Sequence, residues 1–452
     1  MVHQYKNNGY NIVLDVNSGA VHIVDDVTYD VIAQYATNAR EDIIHNLEKQ
    51  YSKEEIAEAY EEVKTLAEDN QLFTEDEYEN YIEQFKDRPT VVKALCLHIA
   101  HDCNLACRYC FAEEGEYHGR RELMSFEVGK AALDFLIANS KNRRNLEVDF
   151  FGGEPLMNFD VVKELVAYGR EQEKIHNKNF RFTLTTNGVL LNDDIMEFAN
   201  KEMSNVVLSI DGRKKVHDYM RSFRNGAGSY DLIVPKFQKL AESRNQEKYY
   251  VRGTFTHHNL DFSKDVLHLA DLGFQQISVE PVVAESSESY AIQEEDLPQL
   301  YQEYDDLAVE MIKRHKEGKE FNFFHFMIDL EGGPCVAKRL SGCGSGTEYL
   351  AVTPWGDFYP CHQFVGNEEF YMGNVKDGIQ NTALRDEFKG CNVYAKEKCR
   401  NCFARFYCSG GCAANAYHYQ GSITDAYDIG CQLQKKRIEC AIMLKAAFAE
   451  EA

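Results

Sequence analysis

The chain has 452 residues, enough for about three domains, and 44% of them are hydrophobic, which excludes a wholly disordered polypeptide. Its 49 Lys+Arg against 73 Asp+Glu give a net charge of −24, arguing against nucleic-acid phosphate or an anionic membrane as the main partner. No run of 18 apolar residues occurs, and the opening MVHQYKNNGYNIV lacks the basic and apolar regions of a signal peptide, so a cytoplasmic protein is expected.

Residues 1–88 contain no cysteine and read as a separate small module. Asn11–Val16 and Ala20–Val24 are apolar runs joined by Asn17-Ser18-Gly19, which predicts a hairpin. Helices should follow. Ser52 with Glu55 has capping-box spacing ahead of Ile56, Tyr60, Val63 and Ala67, and Thr74 with Glu77 repeats it ahead of Tyr78, Tyr81, Ile82 and Phe85. Residues 41–90 hold 16 acidic and 5 basic residues, either a solvated helical face or an attractor for a basic peptide segment.

From about residue 91 the pattern becomes regular. Strands are predicted at Ala94–Ala100, Glu147–Phe151, Arg181–Thr185, Val206–Ile210, Tyr250–Thr256 and Gln276–Glu280. Helices are predicted between them near 125–139, 159–175, 192–202, 230–243 and 262–272. Six alternating βα units imply an α/β fold with a parallel sheet and a site at the carboxyl ends of its strands. The expected division is 1–88, a barrel over 89–290, a helical bridge over 291–334 and a Cys- and Gly-rich part over 335–452 that needs metal staples.

Fourteen cysteines in a reducing compartment point to metal or redox chemistry rather than disulfides. Cys103, Cys107 and Cys110 form a Cx3Cx2C loop after the first predicted strand, and residues 335–452 hold ten more. Three thiolates can bind three irons of a [4Fe–4S] cluster and leave the fourth iron open, which suits a cofactor chelating through an amino and a carboxylate group. Zinc is the alternative, and its fourth ligand would have to be His101 or His118.

The loop, with Tyr109 before its last cysteine, resembles that of the radical S-adenosylmethionine (SAM) superfamily, and the resemblance spans roughly residues 91–285. It implies a partial (βα)6 barrel in which the strand-end residues bind SAM. Gly152 and Gly153 would allow close backbone approach, and Glu154 would accept from the cofactor's ammonium group. Thr185, Asn187, Ser209 and Asp211 would reach the ribose and Phe111 the adenine by its backbone, while Arg252 would take the carboxylate or else form a surface ion pair. By the same resemblance the reduced cluster cleaves SAM to a 5′-deoxyadenosyl radical that takes an unactivated hydrogen from the substrate.

Cys343, Cys361, Cys399, Cys402, Cys408, Cys412 and Cys431 follow in the order of a SPASM domain, which carries two auxiliary [4Fe–4S] clusters; three clusters in all are therefore expected. The resemblance assigns Cys399, Cys402, Cys408 and Cys431 to the distal cluster and Cys343, Cys361 and Cys412 to the nearer one. The nearer cluster is closed either by Cys335 or by a substrate thiolate. Taken alone, Cys399–Cys412 would suit zinc as well. Cys96, Cys391 and Cys440 fit neither field and read as packing residues.

The whole chain resembles SCIFF peptide maturases, on YNIVLDVNSGAVHIVDD, CNLACRYCFAEEGEYHG and LAVTPWGDFYPCHQFVGNEEF. That implies thioether cross-linking of a ribosomally made, Cys-rich precursor peptide. Its leader would add a strand to a winged-helix-like recognition module, and a flavodoxin- or ferredoxin-type donor would supply electrons. No catalytic acid or base is assigned. A sulfatase-maturing enzyme and a non-catalytic zinc scaffold are the alternatives.

Overall fold

The computed structural model describes residues 1–117, 119–330 and 336–449; Cys335 and His118 lie outside the described residues. The N-terminal module is a three-stranded antiparallel sheet, β1 (Val2–Asn7), β2 (Tyr10–Asp15) and β3 (Val21–Val24), in that order. Helices α1 (Asp26–Tyr35), α2 (Arg40–Leu47) and α3 (Lys53–Glu68) follow. The predicted hairpin is β2–β3. Strand β1 had not been predicted, although Asn8-Gly9 marks its turn: both residues take positive φ, 48° and 87°, which the pair Asn-Gly tolerates.

Ser52 and Glu55 make both bonds of the capping box at the start of α3. The second box does not form. The Thr74 hydroxyl and N–H both turn to the buried carboxylate of Asp15, and the helix beyond, α4 (Ile82–Asp87), is short. A partner 59 residues upstream wins over the local cap.

Six parallel strands form the barrel: β4 (Ala94–His101), β5 (Asn145–Gly152), β6 (Asn179–Thr186), β7 (Met203–Ser209), β8 (Tyr249–Phe255) and β9 (Gln276–Pro281). Helices α5 (Phe126–Asn139), α6 (Phe159–His176), α7 (Asp193–Glu202), α8 (Tyr230–Ser243) and α9 (Phe262–Asp271) cover it. All eight residues of β4 are buried, as expected for a strand of a parallel sheet covered on both faces. The bridge contains α10 (Leu297–Lys316).

The Cys-rich part is not a detached appendage. Its strand β10 (Tyr349–Val352) pairs in parallel with β4 and continues antiparallel into β11 (Asp357–Tyr359), so barrel and C-terminal part share one sheet. The last helix, α11 (Asp428–Ala449), packs on α10. The N-terminal sheet docks here too: His3 stacks on Phe403 and bonds Glu439, and Ile12, Leu14 and Val16 lie in the same continuous core as the barrel.

Candidate active site

The Cx3Cx2C loop leaves the carboxyl end of β4 and is held by backbone. Ala106–Cys107 forms a two-residue antiparallel ladder with Arg221–Ser222, and the Arg108 N–H donates to Met220 O at 2.9 Å. Gly152 and Gly153 serve the same loop. A Cβ on Gly152 would stand 2.3 Å from Ala100 O, and one on Gly153 2.1 Å from Asp102 O. The close approach that demands glycine is therefore to the chain leading into the cysteines.

Glu154 is wholly buried. It accepts from Thr186 Oγ1 (2.8 Å), Asn187 N (2.8 Å) and Leu156 N (3.0 Å), so its carboxyl ties the end of β5 to that of β6. Burial outweighs these bonds and pushes it up to about 7. Asn187 reaches Asn104 Oδ1 at 2.8 Å and Cys103 Sγ at 3.7 Å. Asp211, also wholly buried, collects the Tyr109 hydroxyl at 2.8 Å, Arg221 Nε at 2.9 Å and Thr254 N at 3.0 Å.

These residues surround a cavity of 290 Å³. Cys103, Cys107, Cys110, Tyr109 and Phe111 line it. Gly152, Gly153, Thr185, Asn187, Ser209 and Arg252 line it too. Glu154 and Asp211 stand behind this lining. Arg252 is not free: its Nη2 donates to Glu280 Oε2 at 3.1 Å. Burial would raise the Glu280 carboxyl, but Arg252 and His325 outweigh it and hold it at about 2. Glu280, Arg221 and His362 all line the cavity, and none was singled out from sequence. Arg221 and Glu280 belong to no motif quoted from the sequence, and His362 stands unremarked beside Cys361. Only the strand-end position of Glu280 hinted at it.

Burial pushes the Cys103 and Cys107 thiols up to about 12, so as thiolates they need a compensating positive charge. Among the described residues no group of three or more His, Cys, Asp or Glu side chains is arranged to hold a single metal ion. Cys103, Cys107 and Cys110 border open volume instead, so they would hold three irons of a cluster and leave room for a chelating cofactor. His101 Nε2 is engaged by His98 Nδ1 at 2.9 Å, and its ring stacks on Tyr117.

The C-terminal cysteines lie within electrostatic reach of one another, and Cys391 neighbours both Cys343 and Cys399. Cys361 has Cys412 and Cys343 as electrostatic neighbours. Cys408 has Cys431, Cys399 and Cys402. Cys96 and Cys440 are buried, and Cys391 donates to Ile423 O at 3.2 Å.

A parallel barrel with a three-thiol loop at the end of its first strand, facing a strand-end cavity, is the arrangement of the radical SAM fold. Residues 97–259 match the model of the radical SAM superfamily, whose members use a [4Fe–4S] cluster and SAM. It is 21% identical over 396 residues to the radical SAM cyclopropyl synthase TigE of Paramaledivibacter caminithermalis, covering 80% of this chain and 77% of that protein. It is 25% identical over 334 residues to a cysteine-type anaerobic sulfatase-maturating enzyme of Clostridium novyi, covering 70% and 86%. Among solved structures, anSMEcpe with bound AdoMet superposes with a TM-score of 0.65 at 19% identity, covering 79% of this chain and 99% of its own. SuiB of Streptococcus suis bound to its precursor peptide SuiA gives 0.54 at 16%, covering 95% and 98%. Both share the α/β radical SAM fold. Among the described residues no helix is long and apolar enough to cross a membrane.

Proposed function

We propose that this enzyme installs thioether cross-links, from a cysteine sulfur to a carbon of another residue, in a ribosomally made, Cys-rich peptide. The observation that carries the reading is the N-terminal module. Its strand β1 faces the last helix, whereas β3 is a sheet edge with Ile23 exposed, the kind of edge to which an extended leader adds by main-chain hydrogen bonds. The likeness to SuiB, solved with a precursor peptide, extends over 95% of the chain, against 79% for anSMEcpe, which supports a counterpart for this module among peptide-modifying enzymes.

Cys103, Cys107 and Cys110 would hold the SAM-binding cluster, and the C-terminal cysteines would hold two auxiliary clusters. When bound, cluster and SAM supply a radical able to abstract an unactivated hydrogen atom. The chain's own residues orient the reactants and keep water out. Forming a thioether removes a hydrogen atom from carbon, a proton from the thiol and one electron, and the C-terminal cysteine field is where an acceptor for that electron would sit. The second reading, sulfatase maturation by oxidation of a Cys or Ser side chain, is supported equally by the barrel and the cysteine field and by relatives named cysteine-type and serine-type anaerobic sulfatase-maturating enzymes.

Anaerobic co-expression with a short Cys-rich peptide encoded beside the gene tests the reading. A cross-linked product should be two hydrogens lighter per bridge and resist thiol alkylation, while Cys107→Ala should give no product and no 5′-deoxyadenosine. A peptide that instead loses sulfur to an aldehyde would favour the second reading, and an unmodified peptide would count against both.

A further inference from the structure

Arg221 belongs to no motif in the sequence, yet its backbone stands directly opposite Cys107 in the ladder that pins the cysteine loop. Directly opposed residues of an antiparallel pair project their side chains to the same face. The Arg221 side chain is only 14% exposed, and its guanidinium lies 5.3 Å from the centre of the Tyr109 ring. Asp211 fixes it through Nε at 2.9 Å. The same carboxylate is shared with the Tyr109 hydroxyl and the Thr254 N–H, so its charge is spread over three donors while the guanidinium keeps its own.

We propose that Arg221 is a positioning residue that sets the electrostatic field at Cys107, stabilising the more negative, reduced state of the cluster held by Cys103, Cys107 and Cys110. The inference rests on the ligand assignment made above. Reduction adds an electron, and net charge and hydrogen bonding around the sulfurs are the levers by which a protein sets a cluster's potential. A fixed cation in a low-dielectric site favours the electron more than a solvated one would. Asp211 keeps the guanidinium from swinging to solvent, and Tyr109 blunts the opposing charge of Asp211.

The test is an EPR-monitored redox titration of the reconstituted full-length enzyme, normalised to iron and corrected with the Cys107→Ala spectrum. Arg221→Gln should retain its iron but show at least a tenfold lower ratio of reduced to oxidised cluster at a fixed potential, equivalent to 59 mV for a one-electron couple. Arg221→Lys, which keeps the charge, should stay near the wild type. Tyr109→Phe, which removes a donor from Asp211, should shift the same way as Arg221→Gln but less. An iron-replete Arg221→Gln with an unmoved potential overturns the proposal, including the case where only SAM affinity falls, because Arg221 would then be a cofactor-binding group. Should Arg221→Gln lose its iron, Tyr109→Phe decides, and an unmoved potential there overturns the proposal. A wild type lacking any SAM-responsive cluster would instead overturn the ligand assignment.

Discussion

Glu154 illustrates how one buried carboxyl carries both architecture and pH dependence. Its three donors come from two neighbouring loops, so it fixes the rim of the cavity against which the cysteine loop rests. In an unfolded chain it titrates near 4.5, whereas in the fold it is pushed up to about 7 by burial. The folded state therefore holds this proton more tightly. The stability it contributes is complete below about 4.5 and declines as the pH rises through about 7, by on the order of 3 kcal/mol at most. Glu154→Gln should remove that part of the slope. The amide turns a donor toward one of the three N–H or O–H groups, so the variant should also lose about 1–3 kcal/mol overall. Melting curves of the metal-free protein across this range, compared between wild type and variant, check both effects. Parallel pH profiles would mean that the carboxyl is not protonated in the fold.

At the scale of elements, the junction between the hairpin and the cysteine field is built around Arg405, which lies between Cys402 and Cys408. Its Nη2 donates to Asn17 Oδ1 at 2.6 Å and to Asp76 Oδ2 at 2.8 Å, and its guanidinium packs on the rings of Tyr394 and Phe406. Tyr394 also donates to Asp76 at 2.7 Å, and Arg400 pairs with Glu79 on the same front. The Arg405 side chain is 5% exposed, so truncating it strands Asp76 without its cation. Arg405→Ala should cost about 3–5 kcal/mol, and Arg405→Lys less. Limited proteolysis should then cut the segment 70–90 faster, with a loss of iron from the C-terminal clusters. Unchanged protection and iron content would show that the junction has little energetic weight. This contact was not legible in the sequence, because Asn17 and Arg405 are 388 positions apart and each reads locally as a turn or surface residue. By contrast the β2–β3 turn and the Ser52–Glu55 box were legible, since their partners lie within a few residues. The Thr74–Glu77 box misled for the same reason as Arg405, a distant competitor in Asp15.

Across the whole molecule, the six barrel strands could be read because each is an apolar run punctuated by a helical stretch, and the periodicity survives whatever the strands meet. The cysteine loop could be read because its spacing is itself the chemistry. Neither property tells how units dock, and here the N-terminal module packs closely against the rest of the protein. Ile12, Leu14 and Val16 are buried in the barrel's own core, and Tyr5 donates to Glu439 O at 3.0 Å while Asn7 donates to Asp305 Oδ1 at 3.0 Å. One face of β2 serves the module's helices through Val13, and the alternate face serves the rest of the protein. Removing residues 1–88 would therefore uncover apolar surface on the C-terminal part and take Asn17 and Asp76 from Arg405 and His3 from Glu439. The truncated chain should melt at least several degrees lower, or aggregate, rather than behave as an intact barrel that merely lacks a peptide-binding site. Replacing exposed Ile23 on the β3 edge with a charged residue should spare the fold and, on the proposed reading, weaken only peptide binding. Thermal melts of both proteins beside anisotropy of a labelled leader peptide separate the two effects. A truncation as stable as the full chain would restore the picture of an independent module.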